Sequence, residues 1–334
     1  MPTAFALHAQ RLAAAIARPL GLHRLSSRTL AFIALVVTSA LWGSNAVVAR
    51  MLLDGISPTW LAWLRWLVVI VILAPFVWHE RAAIVKALRE DPRDYALFAV
   101  IGFAPQNALV YTGLAGTTAI NMGLLNSAIP VLIVAIVALL QRRAPRSFEA
   151  IGVALSVVGV LLIAVHGDLR ALARLELSRS DLIVLAGMFI WAVYTVRLGI
   201  REASSPALSF PAFCFTAGAI GLVLTMPVLG VDVAVHGWPR PSWGTVIGIF
   251  YLGALPTLVA MLLYGYGLAR VGPVQGGIFT HLVPVFAALF ATILIGERLF
   301  PFHAAGFALI AGGAILCCLT PTPVLSSARE SPHA

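Results

Sequence analysis

The sequence predicts an all-α polytopic membrane protein, with ten transmembrane helices arranged as two inverted five-helix repeats. The first observation is composition, because 60% of the 334 residues are hydrophobic and only 10% are charged. Soluble domains carry about 25% charged residues, so a chain with a mean hydropathy of +0.98 is predicted to lie in lipid. The second observation is a series of ten apolar segments. The third is that the last five segments repeat the pattern of the first five.

Each apolar segment has about the 20 residues that an α-helix needs to cross the hydrocarbon core. Helices are predicted because lipid cannot satisfy an open backbone, and the sequence lacks the alternating ten-residue segments typical of a membrane β-barrel. The predicted spans are 30–49, 58–78, 95–113, 117–140, 147–166, 181–199, 206–229, 243–267, 273–295 and 301–320.

The distribution of basic residues predicts the orientation. If the amino terminus is cytoplasmic, the inner segments contain 15 Lys and Arg residues and the outer segments contain 6. Cytoplasmic loops are enriched in Lys and Arg, so both termini are predicted to be cytoplasmic. Residues 1–29 are then a basic cytoplasmic tail, in preference to a targeting presequence, residues 167–180 an extracytoplasmic loop, and residues 321–334 a second cytoplasmic tail.

The internal repeat appears as identical or similar residues at a constant offset of 154 positions. The matches pair Gly123 with Gly277, Asn126 with Thr280, Pro130 with Pro284, Gly152 with Gly306 and Gly159 with Gly313. The halves are therefore 30–166 and 181–320. Because five is odd, the two halves are predicted to insert with opposite orientations, about a pseudo-two-fold axis in the membrane plane. That arrangement is typical of inverted-repeat transporters.

Several motifs in this order resemble the EamA-type transporters of the drug/metabolite transporter (DMT) superfamily. They are "ALWGSNAVVAR", the "LAWLRW" of the second span, the prolines of the fourth and ninth spans, and "GERLFPFHAAGFALIAGGAIL". The resemblance covers about 30–320 and makes each half an EamA-like repeat. It implies ten helices, cytoplasmic termini, and export or exchange of small metabolites, often amino acids. It also implies a central cavity lined by the third, fourth, eighth and ninth helices, with the first and sixth contributing.

Polar residues inside spans are the candidates for this cavity, since they are costly in lipid and usually face protein or water. One face of the third span carries Phe103, Gln106, Asn107, Val110 and Tyr111 at helical spacing. Such residues also join helices without touching a solute, and for each single residue both readings stay open. The predicted substrate-binding residues are Trp42, Asn45, Gln106, Asn107, Tyr111, Asn126, Ser127, Trp191, Tyr194, Tyr264, Thr280 and His281.

Two prolines and one arginine have separate predicted roles. Pro130 and Pro284 each remove a helix hydrogen bond and are predicted hinges. Arg65 is the one charge well inside a span, and it either extends to the outer interface or binds a substrate carboxylate. No acidic residue falls at the middle of a span, which favours facilitated diffusion, exchange, or proton coupling through His281.

The function predicted from these features is a secondary transporter that exports or exchanges amino acids or similar neutral or zwitterionic solutes by alternating access. The alternatives are an importer of a neutral metabolite such as riboflavin, or a channel-like facilitator. The spans contain no catalytic constellation, no phosphate cradle and no metal-ligand spacing, so no enzyme activity, ATP, metal or cofactor is expected. Cations are scattered over short loops, so no nucleic-acid partner is expected either. The expected partners are a small-molecule substrate and membrane lipid. The protein is expected as a monomer or homodimer in the inner membrane.

Overall fold

The computed structural model describes residues 26–53, 55–116, 125–126, 128–142, 146–164, 178–203, 207–239, 242–295 and 301–318, and these residues form helices without any strand. The helices are α1 Ser27–Leu53, α2 Pro58–Val77, α3 Arg81–Glu90, α4 Pro92–Gly102, α5 Ala104–Ala115, α6 Ala128–Leu140, α7 Ser147–Ala164, α8 Arg179–Ala203, α9 Phe210–His236, α10 Trp243–Leu252, α11 Ala260–Ile278, α12 Leu282–Ile295 and α13 Pro301–Cys318. A π-turn, Gly253–Val259, joins α10 to α11. Two 3-10 turns, Trp78–Glu80 and Phe279–His281, precede α3 and α12.

Local sequence explains where several helices begin. Ser57, Asp91, Ser209 and Ser242 precede α2, α4, α9 and α10, and each side chain accepts a hydrogen bond from the amide three residues later. Such caps satisfy one of the amide groups that the first turn leaves without a partner. A proline lies in the first two positions of α2, α4 and α9, where its missing N–H costs nothing.

Six helical segments of the described residues are long and apolar enough to cross a membrane. They are Ser27–Leu53, Pro58–Glu90, Pro92–Ala115, Arg179–Glu202, Phe210–Val235 and Trp243–Phe290. Shorter apolar helices cover Ala128–Leu140, Ser147–Gly159 and Ala304–Gly313. The longest segment bends at Gly272, whose φ of +78° is accessible to glycine and is followed by Pro273. This bend separates the predicted spans 243–267 and 273–295.

Two features of this helix arrangement differ from the sequence prediction. The helix α3 lies between the predicted spans 58–78 and 95–113, where a loop was expected. The sequence did not predict this helix because its residues are too polar for an apolar span. Its Ala87 packs with Val77 and Leu208 in a small apolar cluster. The third predicted span, 95–113, is two helices, α4 and α5. The first part of the fourth predicted span, 117–124, and most of the loop 167–180 lie outside the described residues.

The helix contacts stay the same when the two halves are exchanged. The first helix of the first half, α1, packs against α11 and α12, and its counterpart α8 packs against α5 and α6. The second helices, α2 and α9, pack against each other, and so do the fifth, α7 and α13. The largest apolar core lies among α1, α2, α4, α5, α6, α8, α9 and α11.

Four glycines allow α7 and α13 to approach closely. A Cβ atom at Gly159 would lie 2.6 Å from the carbonyl oxygen of Gly306, and one at Gly313 would lie 2.3 Å from the carbonyl oxygen of Gly152. Both distances are far below van der Waals contact, so no larger residue fits without moving a helix. At the offset of 154 positions, Gly159 corresponds to Gly313 and Gly152 corresponds to Gly306, so the two contacts are equivalent.

Candidate functional site

The third and eighth predicted spans are both interrupted, at equivalent positions of the repeat. Between α4 and α5 the backbone leaves the helical region at Phe103, with φ −125° and ψ −146°. In the π-turn, Pro256 has no N–H to give to the carbonyl of Leu252, and the Thr257 hydroxyl donates to that oxygen instead at 2.6 Å. Phe103 and Thr257 are 154 positions apart. Interrupted helices at corresponding positions of two halves are the best structural indication of a substrate site in inverted-repeat proteins.

Four of the predicted site residues form an aromatic cluster, which consists of Trp42, Trp191, Tyr194 and Tyr264. The Trp42 ring centroid lies 5.3 Å from that of Trp191 and 4.9 Å from that of Tyr264, and Trp191 lies 4.9 Å from Tyr194. The indole N–H of Trp42 donates to the carbonyl of Pro256 at 3.1 Å, which joins the cluster to the π-turn. Both tyrosines are buried, whereas both tryptophans are half-buried. The two tryptophans are therefore the partly accessible members of the cluster.

A second group, the arginine cluster, consists of Asn45, Arg65 and Tyr111. Only 5% of Arg65 is exposed, so the side chain stays inside the protein instead of extending to the interface. Its Nη1 donates to Asn45 Oδ1 at 3.1 Å and to the Tyr111 hydroxyl, which in turn donates to Asn45 at 3.1 Å. The guanidinium carbon lies 5.4 Å from the centroid of the Tyr111 ring. Helices α1, α2 and α5 therefore meet at a buried positive charge.

Two predicted site residues on α5 already form hydrogen bonds with backbone carbonyls. The Gln106 amide is buried and donates to the carbonyl of Gly187 on α8 at 3.2 Å. The Asn107 amide donates to the carbonyl of Phe103, at the break in the third span, at 2.8 Å. Gln106 therefore connects two helices, while Asn107 is half-buried and helps to close the backbone where the helix restarts.

The predicted residues of the fourth and ninth spans are only partly described. Thr280 and His281 are buried in the 3-10 turn before α12, and the Thr280 hydroxyl donates to the carbonyl of Gly277 at 2.8 Å. Asn126 is half-buried, and Ser127 lies outside the described residues. Their equivalence in depth to Thr280 and His281 stays a prediction.

Pro284 is the third residue of α12, whereas residue 127, next to the first residue of α6, lies outside the described residues, so the position of Pro130 within its helix is not defined. A proline in the first turn breaks no intrahelical hydrogen bond. The change from 3-10 to α-helical geometry comes after His281, three residues before Pro284. The hinge role of both prolines stays a prediction, and the 3-10 turn is the place where such a bend would occur.

The model of the EamA-like transporter family matches residues 29–165 and 178–319. The chain belongs to the EamA-like transporter family. It is thus a transmembrane transporter of the DMT superfamily.

Relatives of this EamA-like transporter agree with that assignment. A probable terminal-alkyne amino-acid exporter of Streptantibioticus cattleyicolor is 27% identical over 286 residues, which cover 85% of this chain and 91% of the relative. YyaM, an uncharacterized transporter of Bacillus subtilis, is 25% identical over 71% of this chain and 75% of its own length. A solved crystal structure aligns with a TM-score of 0.66 over 87% of this chain and 96% of that chain. Its identity of 19% shows the fold alone.

Sequence reasoning missed two hydroxyl groups that connect α1 to the second half of this EamA-like transporter. Ser39 donates to the carbonyl of Phe279 at 2.8 Å, directly before Thr280 and His281. Thr38 donates to the carbonyl of Ala260 at 3.3 Å, where α11 begins. Two adjacent hydroxyl residues in an otherwise apolar run were the available signal.

Polar contacts join the two halves at both ends of the helix bundle. At the end where α2 finishes, Arg197 pairs with Asp94, and Glu80 accepts hydrogen bonds from the Ser209 amide at 3.1 Å and its hydroxyl at 2.6 Å. At the end where α2 begins, the Ser57 hydroxyl donates to Asp232 at 2.7 Å. The Arg197–Asp94 pair is partly exposed, so it contributes little to stability and can open without a large cost.

Proposed function

We propose that this EamA-like transporter moves amino acids or similar neutral or zwitterionic solutes by alternating access to one central site. The observation that carries the proposal is the pair of interrupted helices, at Phe103 and at Gly253–Val259, which occupy equivalent positions in the two halves. Trp42 connects one of these breaks to the aromatic cluster. The site consists of the breaks, the aromatic cluster and the arginine cluster.

The proposed architecture is ten spans in two inverted five-helix repeats, 30–166 and 181–320. The two ranges of the family match support it, and so do the helix contacts that persist when the halves are exchanged. The Ser156 hydroxyl donates to the carbonyl of Ile310 at 3.4 Å, and these two residues are equivalent at the offset of 154. A contact between equivalent residues lies on the axis that exchanges the halves, so the pseudo-two-fold axis passes between α7 and α13.

The proposed location is the inner membrane, with both termini in the cytoplasm. The excess of basic residues in the predicted inner segments supports this orientation. It places Glu80, Asp94 and Arg197 at the cytoplasmic face, and Ser57 and Asp232 at the outer face.

Two observations support the proposed substrate class: the chemistry of the aromatic side chains and the name of one relative. Half-buried indole faces attract an ammonium group or an apolar side chain, and both are present in an apolar amino acid. The relative from Streptantibioticus cattleyicolor has the name of an amino-acid exporter. Export or exchange is the proposed direction.

Flux into sealed proteoliposomes tests this proposal. The purified protein is reconstituted into liposomes. The liposomes are loaded with one unlabelled amino acid at a time, from a panel of apolar and polar amino acids, and the same amino acid in labelled form is added outside. A carrier gives saturable uptake and transient accumulation by counterflow, with the solute unchanged. Linear uptake without counterflow would indicate a channel-like facilitator. Uptake equal to that of protein-free liposomes for the whole panel would contradict the substrate class.

A further inference from the structure

Arg65 carries a charge that is buried in the protein interior. Transfer of an isolated charge out of water is strongly unfavourable, and charged residues within membrane spans commonly pair with an opposite charge. The partners of Arg65 are an amide and a phenol. Among the residues that the structure describes, no Asp or Glu forms an ion pair with it. A neutral residue of similar length would hold the same two partners without the cost of burying a charge.

The hydrogen bonds of Arg65 occupy one corner of the guanidinium group only. Arginine has five N–H donors, and both bonds to described residues come from Nη1. Nε is buried and has no hydrogen-bond partner among the described residues. Nε and Nη2 point in the same direction from one edge of the group, which is an edge that receives the two oxygens of a carboxylate. The bonds of Nη1 therefore hold the guanidinium in place and leave that edge without a hydrogen bond to any described residue.

The position of Arg65 matches the proposed site. Asn45, which accepts from Arg65, lies three residues after Trp42 on α1, about 4.5 Å along the helix axis. On the other side, a Cβ atom at Gly253 would lie 2.7 Å from the carbonyl oxygen of Arg65, so the backbone of α2 packs directly against the π-turn. Less than one turn of α1 thus separates Trp42 from Asn45, the residue that accepts a hydrogen bond from the buried charge.

We propose that the Nε and Nη2 edge of Arg65 binds the carboxylate of the transported solute, while the ammonium group or apolar side chain lies against the aromatic cluster. The proposal rests on the proposed function and narrows its substrate class to small carboxylate-bearing solutes such as α-amino acids. Neutral metabolites without an acid group bind weakly at such a site, because they leave the buried charge without compensation.

The first test uses the unmodified protein and two inhibitors that differ only in charge. The assay measures counterflow of the labelled amino acid that is transported fastest. The external inhibitor is either the same amino acid without label or its carboxamide, for example L-leucine or L-leucinamide. The assay is run at pH 6, where both amines are protonated. A hydrogen-bonded charge pair predicts that the acid inhibits at a concentration about ten- to a hundredfold lower than the amide. Equal inhibition by acid and amide would overturn the proposal.

Variants separate carboxylate binding from a structural role. The measured ratio is the inhibitory concentration of the amide divided by that of the acid. Arg65→Gln should reduce this ratio towards one, mainly because the acid binds less tightly. Arg65→Lys keeps the charge but loses the planar edge, and should give an intermediate ratio. A purely structural Arg65 predicts instead that the folded Arg65→Gln protein has a lower melting temperature and keeps the wild-type ratio.

Two results would overturn the carboxylate proposal while the transporter proposal stands. They are a folded Arg65→Gln protein that keeps the wild-type ratio, and a wild-type protein that transports amino acids without distinguishing acid from amide. If Arg65→Gln does not fold, the wild-type ratio and the Arg65→Lys variant decide. Absence of counterflow for every amino acid would contradict the proposed function itself and would be visible before any inhibitor is added.

Discussion

A single methyl group at Gly313 should destabilise the protein by opening the contact between α7 and α13. The added Cβ would lie 2.3 Å from the carbonyl oxygen of Gly152 and 2.2 Å from the Ser156 hydroxyl. Ordinary contact begins near 3.4 Å, so the two helices must separate by about 1 Å at their crossing. Overpacking of this kind costs about 1–3 kcal/mol. The better helix propensity of alanine recovers about 1 kcal/mol of this, which leaves an expected net loss of up to about 2 kcal/mol.

The neighbouring glycine provides a matched control. A Cβ atom at Gly312 meets no heavy atom of the described residues within 4 Å, so Gly312→Ala should leave stability unchanged or raise it slightly through helix propensity. Gly159→Ala should resemble Gly313→Ala, because its Cβ would meet the carbonyl oxygen of Gly306 at 2.6 Å across the same pair of helices.

Thermal unfolding of the purified variants in detergent measures the difference. The predicted result is a melting temperature a few degrees lower for Gly313→Ala and Gly159→Ala than for Gly312→Ala. Equal melting temperatures for all three variants would refute the close packing of α7 against α13. They would also remove the structural basis for placing the pseudo-two-fold axis there.

Three further predictions follow from the helix geometry. Pro284→Ala should insert into the membrane normally but transport more slowly, because alanine favours a regular α-helix in place of the 3-10 turn that precedes α12; full transport would exclude this hinge. In a variant without the three native cysteines, impermeant thiol reagents should label Ala82→Cys from the cytoplasm and Gly244→Cys from outside; labelling of both from one face would contradict the topology. Gln106→Leu should lower the free energy of unfolding by about 0.5–1.5 kcal/mol without changing solute affinity, because the Gln106 amide donates to the carbonyl of Gly187. Reduced affinity at normal stability would instead indicate that Gln106 lines the substrate site.

The sequence predicted the ends of several helices well, because both signals involved are local. The second predicted span, 58–78, corresponds to Pro58–Val77, and the fifth, 147–166, corresponds to Ser147–Ala164. Hydrocarbon thickness sets the length of an apolar run. Residues such as Ser57 and Pro58 set the start of the helix by capping and by a fixed φ angle. The bend between the eighth and ninth spans was predictable for the same reason, since Gly272 and Pro273 are adjacent.

The interruptions within the third and eighth spans could not be read from local sequence. Pro105 and Pro256 were visible, but a proline in an apolar helix also occurs without a break, as at Pro227 within α9. The π-turn depends on Thr257, which replaces the missing amide donor, and on Trp42, a residue 214 positions away, which binds the carbonyl of Pro256. Such long-range contacts leave no periodic signal.

The role of Arg65 was open in the sequence for a related reason. Hydropathy places a charge about two turns inside the second span but does not say what surrounds it. Its partners Asn45 and Tyr111 lie 20 and 46 positions away, on two other helices. Only the packing of α1, α2 and α5 shows that the guanidinium stays inside and that one edge of it has no hydrogen bond to any described residue.

Accessibility of one site residue from both faces of the membrane tests alternating access most directly. Asn107 is half-buried beside the break at Phe103, so Asn107→Cys, in the background without native cysteines, places a thiol in the proposed site. Impermeant thiol reagents are added to the inside or the outside of oriented vesicles, with and without the transported amino acid. The predicted result is reaction from either face, with the second reagent blocked by the first and with the amino acid slowing both reactions. Reaction from one face only, with or without the amino acid, would contradict a single site that opens alternately to both sides.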